Sequence, residues 1–157
     1  MAAGPQEGRK APAFTIETIT GKRRLADYAG RYLVLYFYPK DDTPGCTQEA
    51  IDFTAHAEAF AKAGASVLGV SRDLLARHEK FAAKHALAIE LGSDEDGKVS
   101  DAYCTWEEKT LYGRTYMGMA RRTFLIGPDG RIIRVWPKVR VKGHAADVLD
   151  FINSLTG

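Results

Sequence analysis

Apolar and polar residues alternate over Phe14-Thr15-Ile16-Glu17-Thr18-Ile19, the period of a half-buried strand. Thr20-Gly21-Lys22 supplies a turn and Arg23-Arg24-Leu25 a short return strand, so a β-hairpin is predicted at the start of the fold. From Tyr32 to Tyr38 the alternation stops, and every residue is aromatic or aliphatic. That run suits a central strand buried on both faces, ended by Pro39. From Thr47 onward Ala50, Phe53, Ala57, Phe60 and Ala61 recur at helical spacing, predicting one helix that carries Cys46 at its head and stops at Gly64. Ser66 to Ser71 reads as another buried strand, Leu74, Leu75, His78, Phe81, Ala82 and His85 as a second helical face, and Ile89 to Leu91 as a short strand. Arg122 to Ile126 and Arg131 to Trp136 form a last strand pair around the turn Gly127-Pro128-Asp129-Gly130. Ala145, Val148, Leu149, Ile152 and Leu155 make a closing amphipathic helix. Strands separated by helices of this length imply an α/β layer fold, with no internal repeat and no dividing linker.

Composition narrows the picture. A chain of 157 residues with 45% hydrophobic content can bury a core without metals or disulfide staples. Residues 1–9 are small, polar and Gly/Pro-containing and are expected to be a loose N-terminal arm, with residues 10–157 forming a single domain. With 22 basic against 20 acidic side chains there is little drive toward nucleic acid or acidic membranes, so small or neutral partners are expected. The start lacks a charged segment followed by an apolar one, and no apolar run approaches the length of a bilayer span, which points to the cytosol. Two cysteines are too few for a secreted disulfide framework, so each is judged for reactivity.

Cys46 stands out. It follows an aromatic strand and a Pro-containing turn and sits where a helix begins. There, unpaired backbone N–H groups and the positive end of the helix dipole favour thiolate over thiol. Competing signals are weaker. Gly92-Ser93-Asp94-Glu95-Asp96-Gly97-Lys98 starts like a phosphate loop, but Val99 replaces the magnesium-binding hydroxyl and three acids would repel phosphate. The same acids lack calcium-loop spacing, so the segment reads as a turn capping the next helix. His56, His78, His85 and His144 show no zinc spacing, and His78 and His85 read as packing or surface residues. His56 is too far along the helix to serve Cys46 as a base, and Cys46-Thr47-Gln48-Glu49 is not a dithiol motif.

The segment Pro39-x-x-x-Thr43-x-x-Cys46 resembles the active-site signature of the peroxiredoxins, cysteine peroxidases with a thioredoxin-like fold. Phe37-Tyr38-Pro39-Lys40-Asp41, Ser93-Asp94-Glu95-Asp96-Gly97, Thr123-Phe124-Leu125-Ile126 and Trp136-Pro137-Lys138-Val139-Arg140-Val141-Lys142-Gly143-His144 look like its bacterioferritin-comigratory branch, peroxiredoxin Q. The resemblance runs from about Pro12 to the C-terminus. It implies a central mixed β-sheet flanked by helices, hydroperoxide substrates, a thiol reductant and no cofactor. Monomers are common in the branch, with dimers an alternative.

Displacement at a peroxide oxygen needs a reactive sulfur and donors aimed along the O–O bond. Cys46 offers the sulfur, its N–H and that of Gly45 the donors, and Gly45 removes a Cβ from the approach. Thr43 offers a hydroxyl that can donate to peroxide and accept from a neighbour, while Pro39 and Pro44 restrict the loop and shield it from water. The family's catalytic arginine falls on Arg121, three residues before Phe124, with the adjacent Arg122 expected as an outward surface charge. Glu49, one turn beyond Cys46, stands where the resemblance implies a carboxylate that orients the arginine; a residue that only complements the helix dipole is the alternative. After attack, Cys46 sulfenic acid must be returned to thiol. The usual resolving cysteine five residues on is Ile51 here, and that of another subset, near Ala82, is also missing. Cys104 is the remaining internal candidate, either a plain packing cysteine or the partner in a Cys46–Cys104 disulfide. A one-cysteine cycle, reduced by thioredoxin, glutaredoxin or a small thiol, is the leading expectation. A peroxide sensor without turnover is the alternative of a different class.

Overall fold

Period and composition sort the strands largely as expected. In the computed structural model, which describes residues 4–156, β1 (Thr15–Thr18) and β2 (Gly21–Arg24) form the opening hairpin and a short 3-10 turn follows at Leu25–Tyr28. Next come β3 (Tyr32–Phe37), α1 (Pro44–Ala55), α2 (Ala57–Lys62), β4 (Ala65–Ser71), α3 (Leu75–His85) and β5 (Glu90–Ser93). The chain continues through α4 (Lys98–Ala102), β6 (Trp106–Leu111), β7 (Arg114–Met119), β8 (Arg122–Ile126), β9 (Ile132–Trp136) and α5 (His144–Thr156). Seven strands form one sheet in the order β2-β1-β5-β4-β3-β8-β9, while β6 and β7 pair apart from it. The pairs β3–β4 and β4–β5 are parallel and β3–β8 and β8–β9 antiparallel, making the sheet mixed.

The sheet is covered on both faces, which explains the unbroken apolar run of β3. Val34, Tyr36 and Tyr38 face a core shared with Cys46, Phe53, Phe60, Phe81 and Val148, contributed by α1, α2, α3 and α5. Leu33, Leu35 and Phe37 face the other core, with Phe14, Val99, Tyr103, Met119 and Phe124. Aromatic stacking reinforces the first core: Tyr36 and Phe53 rings lie 4.7 Å apart, a geometry that adds about 0.5–1.5 kcal/mol to area burial. The acidic Asp94 works as a cap, its carboxylate accepting from the N–H groups of Val99 (3.0 Å) and Ser100 (2.7 Å) at the start of α4.

Two expectations change, and one hairpin was not foreseen. The segment read as a loose arm is tethered where described: Gly8 N–H donates to the Ile132 carbonyl (2.8 Å) and Glu7 accepts from Val135 N–H (3.1 Å). Met1 to Ala3, also assigned to the arm, lie outside the described residues. The single helix expected to run to Gly64 is interrupted at His56, whose backbone at φ −102°, ψ 8° separates α1 from α2. No Gly or Pro marks the break and the apolar spacing continues across it, so periodicity does not reveal it. The β6–β7 hairpin carries no alternation because most of its residues on both faces are exposed.

Candidate active site

β3 delivers the chain into a turn at Pro39–Thr43, and the turn sets the start of α1. Asp42 takes the left-handed conformation (φ +62°), and Pro44 follows as the first helical residue, where its preset φ fits and its missing N–H costs nothing. Thr43 occupies the N-cap position, yet its hydroxyl donates to the Lys40 carbonyl (2.9 Å) rather than capping the helix. The first helical bond runs from Thr47 N–H to the Thr43 carbonyl (2.8 Å), so the N–H groups of Gly45 and Cys46 have no hydrogen-bond partner among the described residues. Both belong to the turn of helix that holds Cys46, a thiol only 1% exposed.

Arg121 reaches this thiol from the residue before β8. Its Nη2 donates to Cys46 Sγ (3.3 Å) and its Nη1 to Glu49 Oε1 (2.7 Å), so one guanidinium joins the sulfur to the carboxylate. Gly45 makes room for it: a Cβ at that position would lie 3.2 Å from Arg121 Nη2. Burial works against the Arg121 charge, and the opposite charges of Cys46 and Glu49 outweigh it, raising its pKa above the ordinary value. Glu49 is 1% exposed, and its Oε2 has no hydrogen-bond partner among the described residues. Burial pushes its carboxyl up to about 7, against the pull of Arg121. Lys109 adds a second cation nearby. Its ammonium donates to the Met119 carbonyl, its stem crosses the open face of Gly118, and burial lowers its pKa while the charges of Glu107 and, more weakly, Cys46 oppose that shift.

The AhpC/TSA family model matches residues 8–135. Peroxiredoxin Bcp of Bacillus subtilis is 45% identical over 150 residues, covering 95% of this chain and 96% of that protein. A structure of the Xanthomonas campestris bacterioferritin comigratory protein, with trapped intermediate and ligand complexes bearing on alkyl peroxide reduction, superimposes with a TM-score of 0.90. It is 40% identical and covers 97% of this chain and 100% of that one. Peroxidoxin BcpB of Mycobacterium tuberculosis follows with a TM-score of 0.84 at 31% identity, covering 96% and 98%. The chain belongs to the AhpC/TSA family, in its peroxiredoxin Q branch.

The peroxiredoxin fold is thioredoxin-like, with the mixed sheet, flanking helices and N-terminal hairpin expected. Of the predicted site residues, the structure brings Cys46, Gly45, Glu49 and Arg121 into contact and sets Thr43 at the head of the same helix. Thr43 differs in one respect: donating to Lys40, its hydroxyl leaves lone pairs as acceptors, the reverse of the expected direction. Pro39 and Pro44 are exposed at the surface of the turn, with Cys46 buried after them. Arg122 is not an outward surface charge; it is 8% exposed and donates to the carbonyls of Cys104 (2.9 Å) and Pro137 (3.2 Å) and to Glu107 (3.2 Å). Cys104 lies with Tyr103 and Arg122 on the side of the sheet opposite Cys46, and both cysteines are free thiols. Sequence reasoning passed over Lys109, whose hairpin shows no periodic pattern; His78, read as a packing or surface residue, is fully buried and hydrogen-bonded. A histidine on an otherwise apolar helix face was the available signal. Among the described residues no helix is long and apolar enough to cross a membrane.

Proposed function

We propose that this peroxiredoxin reduces hydrogen peroxide and organic hydroperoxides at Cys46 in a one-cysteine cycle. The observation that carries the reading is the Arg121 guanidinium bridging Cys46 Sγ and Glu49 beside two unspent N–H groups. In the first step the Cys46 thiolate attacks one peroxide oxygen, an S–O bond forms, the O–O bond breaks, and the departing alkoxide or hydroxide takes up a proton. Arg121 faces both the sulfur and the charge that develops on the oxygens, so it stabilises the transition state more than the resting thiol. The Gly45 and Cys46 N–H groups hold the peroxide, and the Thr43 oxygen accepts the hydrogen bond of a hydroperoxide O–H. Glu49 orients Arg121, and Pro39 and Pro44 keep the turn in register. The alkyl peroxide reduction described for the Xanthomonas campestris relative favours including organic hydroperoxides.

In the second half-reaction an external thiol, from thioredoxin, glutaredoxin or a small molecule, attacks the Cys46 sulfenic acid and releases water. A second thiol then frees Cys46 as its thiolate and leaves a disulfide on the reductant. Ile51 and Ala82 stand where branch relatives place resolving cysteines. The separation of Cys46 and Cys104 by the sheet weighs against a disulfide between them, because a disulfide demands Cα atoms within about 7 Å. The enzyme acts as a cytosolic monomer in this reading. Intact mass after one equivalent of peroxide tests it: the expected product gains one oxygen or, with thiol present, one mixed-disulfide adduct. Loss of two hydrogens within a monomer would reinstate Cys104 as the resolving residue. If no peroxide is consumed in the presence of a dithiol, the peroxidase reading itself fails.

A further inference from the structure

The turn that positions Cys46 is held from one side by α3 and the loop before it, through Asp73, His78, Lys84 and His85. His78, fully buried on α3, places Nδ1 2.6 Å from Asp41 Oδ2 and Nε2 2.9 Å from the Gly92 carbonyl. Tyr38 O–H donates to the other Asp41 oxygen. Asp41 N–H donates to Asp73 Oδ2 (2.8 Å), and Ser71 O–H donates to the same oxygen (2.6 Å). On the solvent side Lys84 donates to both oxygens of Asp42 (2.8 and 3.1 Å), and His85 Nε2 lies 3.2 Å from it. Arg77 pairs with the outer oxygen of Asp73 at 3.4 Å.

The hydrogen-bond inventory restricts what this network can be. A carbonyl only accepts, so Nε2 of His78 carries a proton. Nδ1 faces a carboxyl oxygen at hydrogen-bonding distance, so a further proton lies between His78 and Asp41. The pair is sealed from water, with the other Asp41 oxygen accepting from Tyr38 O–H and His78 Nε2–H taken by the Gly92 carbonyl. Such a pair is costly to break from one side, because removal of one partner strands the other in a dry interior. Asp42, next in the chain, sits at φ +62°, in the left-handed region that Asp and Asn enter more readily than other side-chain-bearing residues.

We propose that α3 clamps the Asp41–Asp42 turn and that His78 is a positioning residue for Cys46, the clamp favouring the peroxide step and opposing the reductant step. The functional link rests on the peroxidase reading above. Peroxide is small and needs the start of α1 in place, whereas a thiol must reach a sulfur that is 1% exposed, which requires the turn to open. The clamp therefore sets how long the oxidised sulfur stays sheltered. In relatives of the kind noted above, a resolving cysteine occupies this helix near Ala82; here the helix keeps only its grip on the turn.

The test compares wild type with His78→Gln and with Lys84→Met, a solvent-side change that leaves the core untouched. Peptide-level hydrogen exchange is expected to speed up about tenfold over residues 39–50 in His78→Gln, with the β4 and β8 peptides unchanged. Cys46 oxidation by hydrogen peroxide is expected to slow about tenfold while reduction of the oxidised protein by 2-mercaptoethanol speeds up by a similar factor; Lys84→Met should move both the same way by about twofold. Opposite changes in the two half-reactions are a signature that general loss of stability does not produce. The clamp is overturned if exchange rises uniformly along the chain or not at all, or if the two rates fall together or stay unchanged. Because exchange is read without peroxide, failure of the clamp is distinguishable from failure of the peroxidase reading.

Discussion

Arg121 and Arg122 are neighbours in sequence, and the sheet sends them to opposite sides. Arg121 faces α1 and donates to the sulfur of Cys46; Arg122 faces the other core and donates to the backbone carbonyl of Cys104. The same side chain is thus spent on a buried sulfur in one place and on closing a loop in the other. The cysteines differ in parallel. Cys46 is buried at a helix start beside unpaired N–H groups, whereas Cys104 is exposed at φ +55° after α4. In the proposed cycle, what surrounds the sulfur sets the two cysteines apart.

The sharpest way to break the contrast is to exchange the sulfurs for oxygen. Cys46→Ser should lower peroxide consumption to background in a dithiol-coupled assay, while Cys104→Ser should leave it within about twofold of wild type. Survival of activity in Cys46→Ser would remove the basis of the proposed cycle.

The arginines come next. Arg121→Gln should slow Cys46 oxidation by about 10²–10³-fold in stopped-flow, the usual cost of losing a donor aimed at developing charge. Arg122→Gln should leave that rate within about threefold but lower thermal stability by about 1.5–3 kcal/mol, the range for hydrogen bonds from a charged group. If the two variants exchanged phenotypes, the assignment of faces would be wrong.

Glu49 sharpens the comparison through pH. With its carboxyl at about 7 in the folded protein, it ionises as pH rises through neutrality and then orients Arg121. The ratio of wild-type to Glu49→Gln oxidation rates should climb from about one at pH 5.5 to about ten at pH 8. A flat ratio would leave Glu49 as a dipole-complementing residue only.

The smallest effect concerns stability. Burial and the nearby Arg121 charge lower His144 to about 4, with Asp147 opposing, so the unfolded chain binds more protons between pH 6.5 and 4. Its contribution is therefore lost as pH falls through that window. Glu49 has the opposite sign: its raised folded value gives a contribution present below about 4.5 and lost as pH rises through 7. The two offset each other in mild acid. Denaturant melts should find His144→Gln less acid-sensitive than wild type and Glu49→Gln more so, by about 1–3 kcal/mol across the window.

Much of the site was legible because it is local. Pro39, Thr43, Pro44, Gly45, Cys46 and Glu49 fall within one turn and the first turns of a helix, where spacing and backbone chemistry are enough to place them together. Arg121 was legible only through family resemblance, since nothing in residues 114–121 signals that the chain returns to Cys46. The burial of Arg122, the direction of the Thr43 hydrogen bond and the contact between His78 and Asp41 were not legible at all. Each depends on a partner distant in sequence or on a carbonyl whose orientation is set by the turn. The β6–β7 hairpin escaped for a related reason: a ribbon exposed on both faces has no hydrophobic period to read.

By itself, then, the sequence determined most of the strands and helices, except the β6–β7 hairpin and the α1–α2 break, that a thiol stands at a helix start, and that no cysteine occupies position 51 or 82. These follow from period, backbone restriction and residue identity, all short-range properties. The tertiary structure decided which arginine meets the sulfur, that a sheet separates the two thiols, and that α3 grips the reactive turn. Those outcomes depend on strand register and on the burial of charged groups, which exist only once distant segments have packed together.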